Sequence, residues 1–245
     1  MSNWVLVTGG GKRLGRAIVY AAAAAGWKPV VHYNTSAQDA ERVAADTGGV
    51  AVGGDLSKPG AGSRIFAAAR QAAGAPIRGL VNSASIFEFD DAATMTEDAL
   101  LRNFQIHTVA PMMLAQAFAG QAQGDAVIVN MLDQKLFNLN ADHMSYTISK
   151  QALHGATIML SRALAPKVRC VGVAPGYNLP SPGQDEETYL RLAPTVNVLE
   201  RRLDPEDVAA TVVFALNNKA ITGQVILADN GEHLKSATRD IIFSG

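Results

Sequence analysis

Apolar residues fall along this chain in two rhythms. Short, almost unbroken β-branched runs read as strands: WVLV (Trp4–Val7), PVVHY (Pro29–Tyr33), VAV (Val50–Val52), GLVN (Gly79–Asn82), AVIVNM (Ala126–Met131), VRCVGV (Val168–Val173) and QVILA (Gln224–Ala228). A strand apolar at successive positions is covered on both faces of its sheet. Longer alanine-rich stretches with helical spacing lie between them, near Leu14–Ala25, Ala37–Asp46, Gly60–Ala73, Glu97–Ala119, Ser149–Leu164 and Pro205–Leu216. Pro205 followed by Glu206 and Asp207 marks a helix start, with proline in the first turn and acids at the positive end of the dipole. The alternation predicts an α/β fold: a doubly wound parallel sheet with helices on both faces.

No linker, low-complexity tract or repeat divides the chain, so residues 1–245 are expected to form one domain. The irregular stretch is Tyr177–Asn197, which carries Pro180, Pro182 and Pro194, has Pro175 just upstream, and includes an acidic patch. So long a connection suits a lid or substrate loop, a passive surface excursion being the alternative.

Composition narrows the function classes. At 48% hydrophobic over 245 residues, a sizeable core can be buried. Lys plus Arg number 21 against 22 Asp plus Glu, a net charge of −1 without the basic excess of a nucleic-acid binder. The single Cys170, in an apolar run, excludes an intrachain disulfide framework and any multi-cysteine metal site and reads as core. His32, His143, His154 and His233 form no ligand spacing, so no metal is expected. The opening MSNWVLVTGG has no basic region before an apolar one, and IVYAAAAAGW falls short of the ~20 residues that span a bilayer. A reducing, cytoplasmic setting is expected.

Three places carry candidate chemistry. Thr8-Gly9-Gly10-Gly11-Lys12-Arg13-Leu14-Gly15 joins the first strand to the first helix. Such a turn brings backbone amides and a helix N-terminus to a pyrophosphate. It is not the G-x-G-x-x-G fingerprint, and a plain tight turn is the alternative, but its position after the first strand favours nucleotide binding. At the end of the second strand the chain reads Tyr33-Asn34-Thr35-Ser36, with no acid before Asp39. An NAD site usually places an acid there; hydroxyls and an amide, with Lys12 or Arg13, suit a 2′-phosphate and point to NADP(H). Thr35 and Ser36 also suit capping of the next helix. Tyr146 and Lys150, four apart, share a helix face, and the ammonium is expected to lower the phenol's pKa.

In order and spacing, Thr8-Gly9 with Gly15, Asp55-Leu56, Asn82-Ser83-Ala84, Tyr146 with Lys150, Pro175-Gly176 and Ile221-Thr222-Gly223-Gln224 resemble the short-chain dehydrogenase/reductase family over nearly the whole chain. The resemblance implies a seven-stranded Rossmann sheet, a nicotinamide cofactor and commonly a homotetramer. Three departures from the general family are similar to its pteridine reductase branch, which includes bacterial dihydrofolate and dihydromonapterin reductases and uses NADPH. Arg13 replaces the middle glycine of the turn. Asp133, after Val129-Asn130-Met131-Leu132, stands at the catalytic-serine position. The segment after Asn82 reads Ser83-Ala84-Ser85-Ile86-Phe87.

The implied cofactor site takes Gly9, Lys12, Arg13, Leu14 and Gly15 from the turn and Tyr33 to Ser36 from the second strand's end. Asp55 and Leu56 would border the adenine, with the backbone of Asn82, Ser83, Ala84 and Ser85 beside the ribose. Met131, Tyr146, Lys150, Pro175, Gly176 and Asn178 would surround the nicotinamide. Arg13, Ser85, Phe87, Asp133, Tyr146 and Tyr177 would meet the substrate, with Asp133, Tyr146 and Lys150 catalytic. The family's tetrad asparagine falls at His107, where an imidazole either keeps a relay to Lys150 or is structural.

The chemistry fits a pterin, a flat electron-poor heterocycle. Phe87 can stack on it, and a carboxyl at position 133 can help protonate a ring nitrogen, where serine would steady an alkoxide. The alternatives are ordinary packing for Phe87, a capping or paired carboxylate for Asp133 and a surface ion pair for Arg13. The expected function is thus NADPH-dependent reduction of a pterin or dihydrofolate-like substrate. The competing readings are a carbonyl reductase of thioesters, sugars or other ketones, and a catalytically silent NADP(H)-sensing protein.

Overall fold

The computed structural model describes residues 3–122, 124–181 and 183–243. Its strands are β1 (Asn3–Val7), β2 (Trp27–Tyr33), β3 (Val50–Gly53), β4 (Ile77–Asn82), β5 (Ala126–Met131), β6 (Val168–Pro175) and β7 (Val225–Ala228). They form one all-parallel sheet in the order β3-β2-β1-β4-β5-β6-β7. The helices are α1 (Arg13–Ala24), α2 (Ala37–Thr47), α3 (Ala61–Ala73), α4 (Glu97–Phe104), α5 (Ala110–Gln121), α6 (Met144–Ala163), α7 (Glu186–Leu192) and α8 (Pro205–Asn217).

The period of two along each strand explains the two layers. In β1, Val5 and Val7 point to the face covered by Ile18 and Val19 of α1, Val43 of α2 and Val212 of α8. Trp4 and Leu6 point the other way, against Ile65 and Phe66 of α3 and Leu114 and Phe118 of α5. Phe66 and Phe118 meet edge to face with ring centroids 6.0 Å apart. Both faces of the central strands are covered, so the runs read as mostly apolar, and the polar exceptions His32, Asn82 and Asn130 are buried with hydrogen-bond partners. Cys170 lies in the second of these cores, and burial pushes its thiol up to about 12, so it packs as a protonated apolar group. The strand order reverses between β1 and β4, which opens a crevice at the carboxyl ends of the strands.

Three elements differ from the sequence expectation. Helix α6 begins at Met144 rather than Ser149, so Tyr146 and Lys150 both lie in its first two turns. The stretch expected as one helix over Glu97–Ala119 is broken by a π-helical turn, Gln105–Val109, between α4 and α5. Pro111 has no N–H to donate and its ring crowds the carbonyl of residue 107, so the helix widens just before it. The connection at Tyr177–Asn197 holds α7, whose N-cap Asp185 accepts the Thr188 N–H at 2.8 Å, ahead of Glu186 and Glu187 in the first turn. Its acidic patch is therefore a helix start. Pro182 of that stretch lies outside the described residues. Among them, no helix is long and apolar enough to cross a membrane.

Candidate active site

A cleft of about 950 Å³ runs along the carboxyl ends of the strands. At its β1–β2 end the walls are backbone. Gly9 has φ +68°, and a Cβ on Gly15 would sit 2.2 Å from the Gly9 carbonyl oxygen, so α1 starts directly on the turn and only glycine fits there. No side chain caps α1. Arg13, at the position where a glycine is usual, has φ +51°, a left-handed conformation that costs a side-chain-bearing residue about 1–2 kcal/mol. Its guanidinium donates to the Pro180 carbonyl at 2.6 Å, which ties the turn to the 177–197 connection. Lys12 pairs with Asp39 at 3.1 Å on the exposed rim.

Two buried side chains hold this turn. Thr8 Oγ1 accepts the Ser83 and Ala84 N–H groups at 2.9 and 3.0 Å, fastening β1 to the chain leaving β4. His32 Nε2 must carry the proton, because it faces the Gly54 carbonyl at 3.0 Å; Nδ1 is then free to accept the Gly9 N–H at 3.3 Å. Burial lowers its pKa to about 4, so the imidazole is neutral whenever the protein is folded near neutrality. Tyr33, Asn34, Thr35, Ser36, Asp55 and Leu56 line the same end. Ser36 occupies the N-cap position of α2 but makes no capping bond, so the capping alternative is not realised by its side chain.

Past β5 the walls become side chains. Asp133 Oδ1 accepts the Lys135 N–H at 2.8 Å, and its Oδ2 accepts the Tyr146 hydroxyl at 2.7 Å. Lys150 Nζ donates to the Met131 carbonyl at 2.6 Å and stands 5.7 Å from the Tyr146 ring centroid. Phe87 meets Tyr146 edge-on at 4.8 Å and stacks on His143 at 3.9 Å. Ser83, Ala84, Ser85, Pro175, Gly176, Tyr177 and Asn178 complete the lining. The Tyr177 hydroxyl donates to Gln184, and Asn178 Nδ2 donates to the Gly176 carbonyl at 2.6 Å.

The electrostatics correct one expectation. Tyr146 is not lowered by Lys150: burial first, then the neighbouring Asp133, hold its phenol well above the usual value. Burial also raises Asp133, and it lowers Lys150 to about 8 against the pull of Asp133. Tyr146 is therefore a protonated phenol hydrogen-bonded to a carboxyl of raised proton affinity, so the two groups can share and exchange a proton.

Two further polar side chains lie behind the cleft. Asn82 does not reach the cleft. It pairs in register with Asn130 across β4 and β5, donates to Asn130 Oδ1 at 2.8 Å, and Asn130 in turn donates to Thr157 Oγ1 at 2.9 Å. The Asn82 side chain is thus a buried polar tie beneath the site, and its backbone leads into the Ser83–Ser85 segment that lines the cleft. His107 sits in the π-helical turn with both ring nitrogens engaged. Nε2 accepts the Ile86 N–H at 3.2 Å, so Nδ1 carries the proton and faces Ser149 Oγ at 2.9 Å. Ser85 Oγ lies 3.0 Å from Nε2. Burial and then Lys150 push its pKa well below the usual value, so it is neutral; it ties the Ser85–Ile86 backbone to α6.

Several lining residues carry no signal in the sequence. The C-terminal arm, residues 235–241, closes the outer end of the cleft. Arg239 Nε grips both carboxyl oxygens of Asp142 at 3.0 and 2.8 Å. The buried Lys135 Nζ reaches Asp240 at 3.1 Å and Asn140 at 2.6 Å. Gln134 and Glu232 also line the cleft. Most of these depend on contacts across about a hundred residues, which no local pattern encodes. Among the described residues, no group of three or more His, Cys, Asp and Glu is placed to hold a metal ion.

Comparison with known proteins agrees with this geometry. A family model described as enoyl-(acyl carrier protein) reductase matches residues 11–233. The dihydromonapterin reductase of Citrobacter koseri is 26% identical over 235 residues, covering 94% of this chain and 97% of that protein. The crystal structure of FolM alternative dihydrofolate reductase 1 from Brucella canis, complexed with NADP, superposes with a TM-score of 0.89 at 36% identity, covering 98% of this chain and 97% of the other. The angucycline C-6 ketoreductase LanV, with bound NADP, superposes with a TM-score of 0.86 at 27% identity, covering 95% and 96%. Matched by its family model over most of its length, and carrying the glycine turn, the Tyr146–Lys150 pair and the seven-stranded sheet, the chain belongs to the short-chain dehydrogenase/reductase family.

Proposed function

We propose that this protein is an NADPH-dependent reductase of a pterin or dihydrofolate-like substrate. The observation that carries this reading is the 2.7 Å hydrogen bond from Tyr146 to Asp133 in the cleft, with Phe87 edge-on to the same ring. The cleft fits a dinucleotide. The Gly9–Gly15 contact lets backbone approach a pyrophosphate at an α1 N-terminus that no side chain caps, and the β2 end offers Asn34, Thr35 and Ser36 without an acid. Bound NADPH supplies a hydride. Lys12 and Arg13 would neutralise its phosphates, and Lys150 would hold ribose hydroxyls while keeping its bond to the Met131 carbonyl.

Reduction of a C=N bond needs a proton at nitrogen as the hydride reaches carbon. Tyr146 turns its hydroxyl from Asp133 to the ring nitrogen and gives up the proton, and Asp133, whose proton affinity burial raises, would take a proton from solvent and pass it to the phenolate oxygen. Phe87, one face on His143, forms an aromatic wall for a flat ring. Dry walls and fixed donors supply the rate gain through positioning and electrostatics.

The reading carries with it a cytoplasmic homotetramer. It is supported by the buried thiol of Cys170 and by exposed apolar residues on α4 and α6, Leu101 at 60% and Met159 at 71% exposed.

The second reading, a carbonyl reductase, is favoured by the likeness to a ketoreductase and by a Tyr146–Lys150 pair that serves ketones equally well. NADPH oxidation assayed with dihydrobiopterin, dihydromonapterin, dihydrofolate and acetoacetyl thioester separates the two. Turnover of a pterin or dihydrofolate is the expected result. Turnover of the thioester alone makes the protein a carbonyl reductase. Tight NADPH binding without any turnover makes it a binding protein.

A further inference from the structure

Backbone pairing between the last strands ends just short of the reacting centre. The Leu132 N–H to Val173 carbonyl bond, 2.7 Å, is a late link between the β5 and β6 chains, and the Gly176 N–H to Ala228 carbonyl bond, 3.1 Å, links those of β6 and β7. Beyond them the segment bearing Asp133 and the segment Pro175–Asn178 diverge. One carboxyl spans the gap. Glu232, just past β7, accepts the Gln134 amide N–H on Oε1 at 2.9 Å and the Tyr177 backbone N–H on Oε2 at 2.7 Å. A Cβ on Gly176 would meet Glu232 Oε2 at 2.6 Å, so the carboxyl lies directly against this glycine's backbone and needs the room it leaves.

We propose that Glu232 is a positioning residue: its carboxyl is the strut that sets the spacing between the segment bearing Asp133 and the Pro175–Asn178 segment beside the nicotinamide. The inference rests on the reading that the cleft holds NADPH. Burial, opposed by the Tyr177 N–H and reinforced by Asp133, Asp229 and Asp240, raises the Glu232 carboxyl to about 8. A group so costly to bury is kept here by what it joins. Its hydrogen bonds go to Gln134 and the Tyr177 backbone, so it acts on turnover through the segments they belong to. Displacement by about an ångström in such a frame costs on the order of 10²-fold in rate.

The strut makes a chemical prediction about its own replacement. Glutamine at position 232 can still accept from Tyr177 N–H, and its new amide can donate to Gln134 Oε1, which is buried without a partner, once the Gln134 amide rotates. Alanine can do neither. The test compares Glu232→Ala, Glu232→Gln and Gln134→Leu in the full chain by thermal melting, by NADP⁺ affinity, by the fluorescence of bound NADPH and by kcat and KM in the assay above. Glu232→Ala is expected to lower kcat about 10–10²-fold with NADP⁺ affinity within about threefold, and to shift the emission of bound NADPH. Glu232→Gln is expected to recover most of both effects. Gln134→Leu cuts the same link from the other end, and a smaller shift of the same sign supports the strut even if Glu232→Ala fails to fold.

A folded Glu232→Ala protein with native kcat and native emission overturns the proposal. Equal losses in Glu232→Ala and Glu232→Gln also overturn it, because they assign the effect to the acid rather than to the link. The emission readout needs no substrate. If the native protein turns over no pterin while alanine, but not glutamine, shifts the emission, the strut stands and the pterin reading falls.

Discussion

The two ends of the cleft are built from different materials. The end at β1 and β2 is mostly backbone: the Gly9–Gly15 turn, an α1 start without a side-chain cap, and the Ser83–Ala84 amides that Thr8 holds. The end beyond β5 is mostly side chains from distant loops: Asp133, Tyr146, Phe87, Glu232 and the arm that carries Arg239 and Asp240. Backbone geometry recognises what all dinucleotides share, and a short local motif encodes it. Side chains brought together across the chain recognise one substrate and set one proton path, so this end carries the specificity.

The contrast breaks or sharpens in four measurements. Tyr146→Phe removes the donor and leaves the other end untouched, so kcat is expected to fall about 10²–10⁴-fold with NADPH affinity unchanged. Turnover that survives would dismiss Tyr146 as the acid. Asp133→Ser keeps an oxygen for the Lys135 N–H cap but removes the carboxyl from Tyr146, and pterin turnover is expected to drop about 10²-fold with the fold intact. Should ketone reduction fall equally, the carboxyl has no special part in C=N chemistry.

At the opposite end, Ser36→Asp sets an acid where a 2′-phosphate would lie. The KM for NADPH is expected to rise about tenfold, with pterin kcat at saturation preserved. An unchanged NADPH/NADH preference would move the phosphate site elsewhere. The smallest effect is a pH limb. Burial lowers Lys150 to about 8, so the ammonium is intact below that pH and lost above it, and kcat/KM is expected to halve near pH 8 and fall further. Arginine does not deprotonate in this range, so Lys150→Arg should abolish the limb in whatever activity it keeps, while Glu232→Gln leaves it in place. A limb that vanishes only in Glu232→Gln belongs to the strut instead.

The same contrast explains what is legible in the sequence. The seven strands fall where the apolar runs put them, because the central strands are covered on both faces and even the edge strands β3 and β7 pack most of their residues partly against the cores. The turn and Tyr146 with Lys150 are readable as short local spacings, and Asp133 through the family resemblance that marks its position. The role of the Asn82 side chain is not legible, because its bond to Asn130 depends on the β4–β5 register that places the two side by side. The acidity of Tyr146 escapes the sequence because spacing on α6 shows the cation at Lys150, whereas burial and Asp133, the stronger influences on the phenol, arise only from the tertiary fold. Glu232 and the Lys135–Asp240 pair are visible only in three dimensions, since the Glu232–Gln134 and Lys135–Asp240 links each join residues about a hundred positions apart.

The widened turn at Gln105–Val109 amounts to one extra residue in an otherwise regular helix. Excising a single residue there would let α4 run into α5 with ordinary pitch, at the cost of rotating everything upstream by about 100°. His107 would swing off Ser85, Ile86 and Ser149 together, and the backbone leading to Phe87 would lose this tie to α6, leaving the ring its contacts with His143 and Tyr146. Length in this segment is therefore as much a part of the site as the His107 ring it aims at the backbone before the aromatic wall.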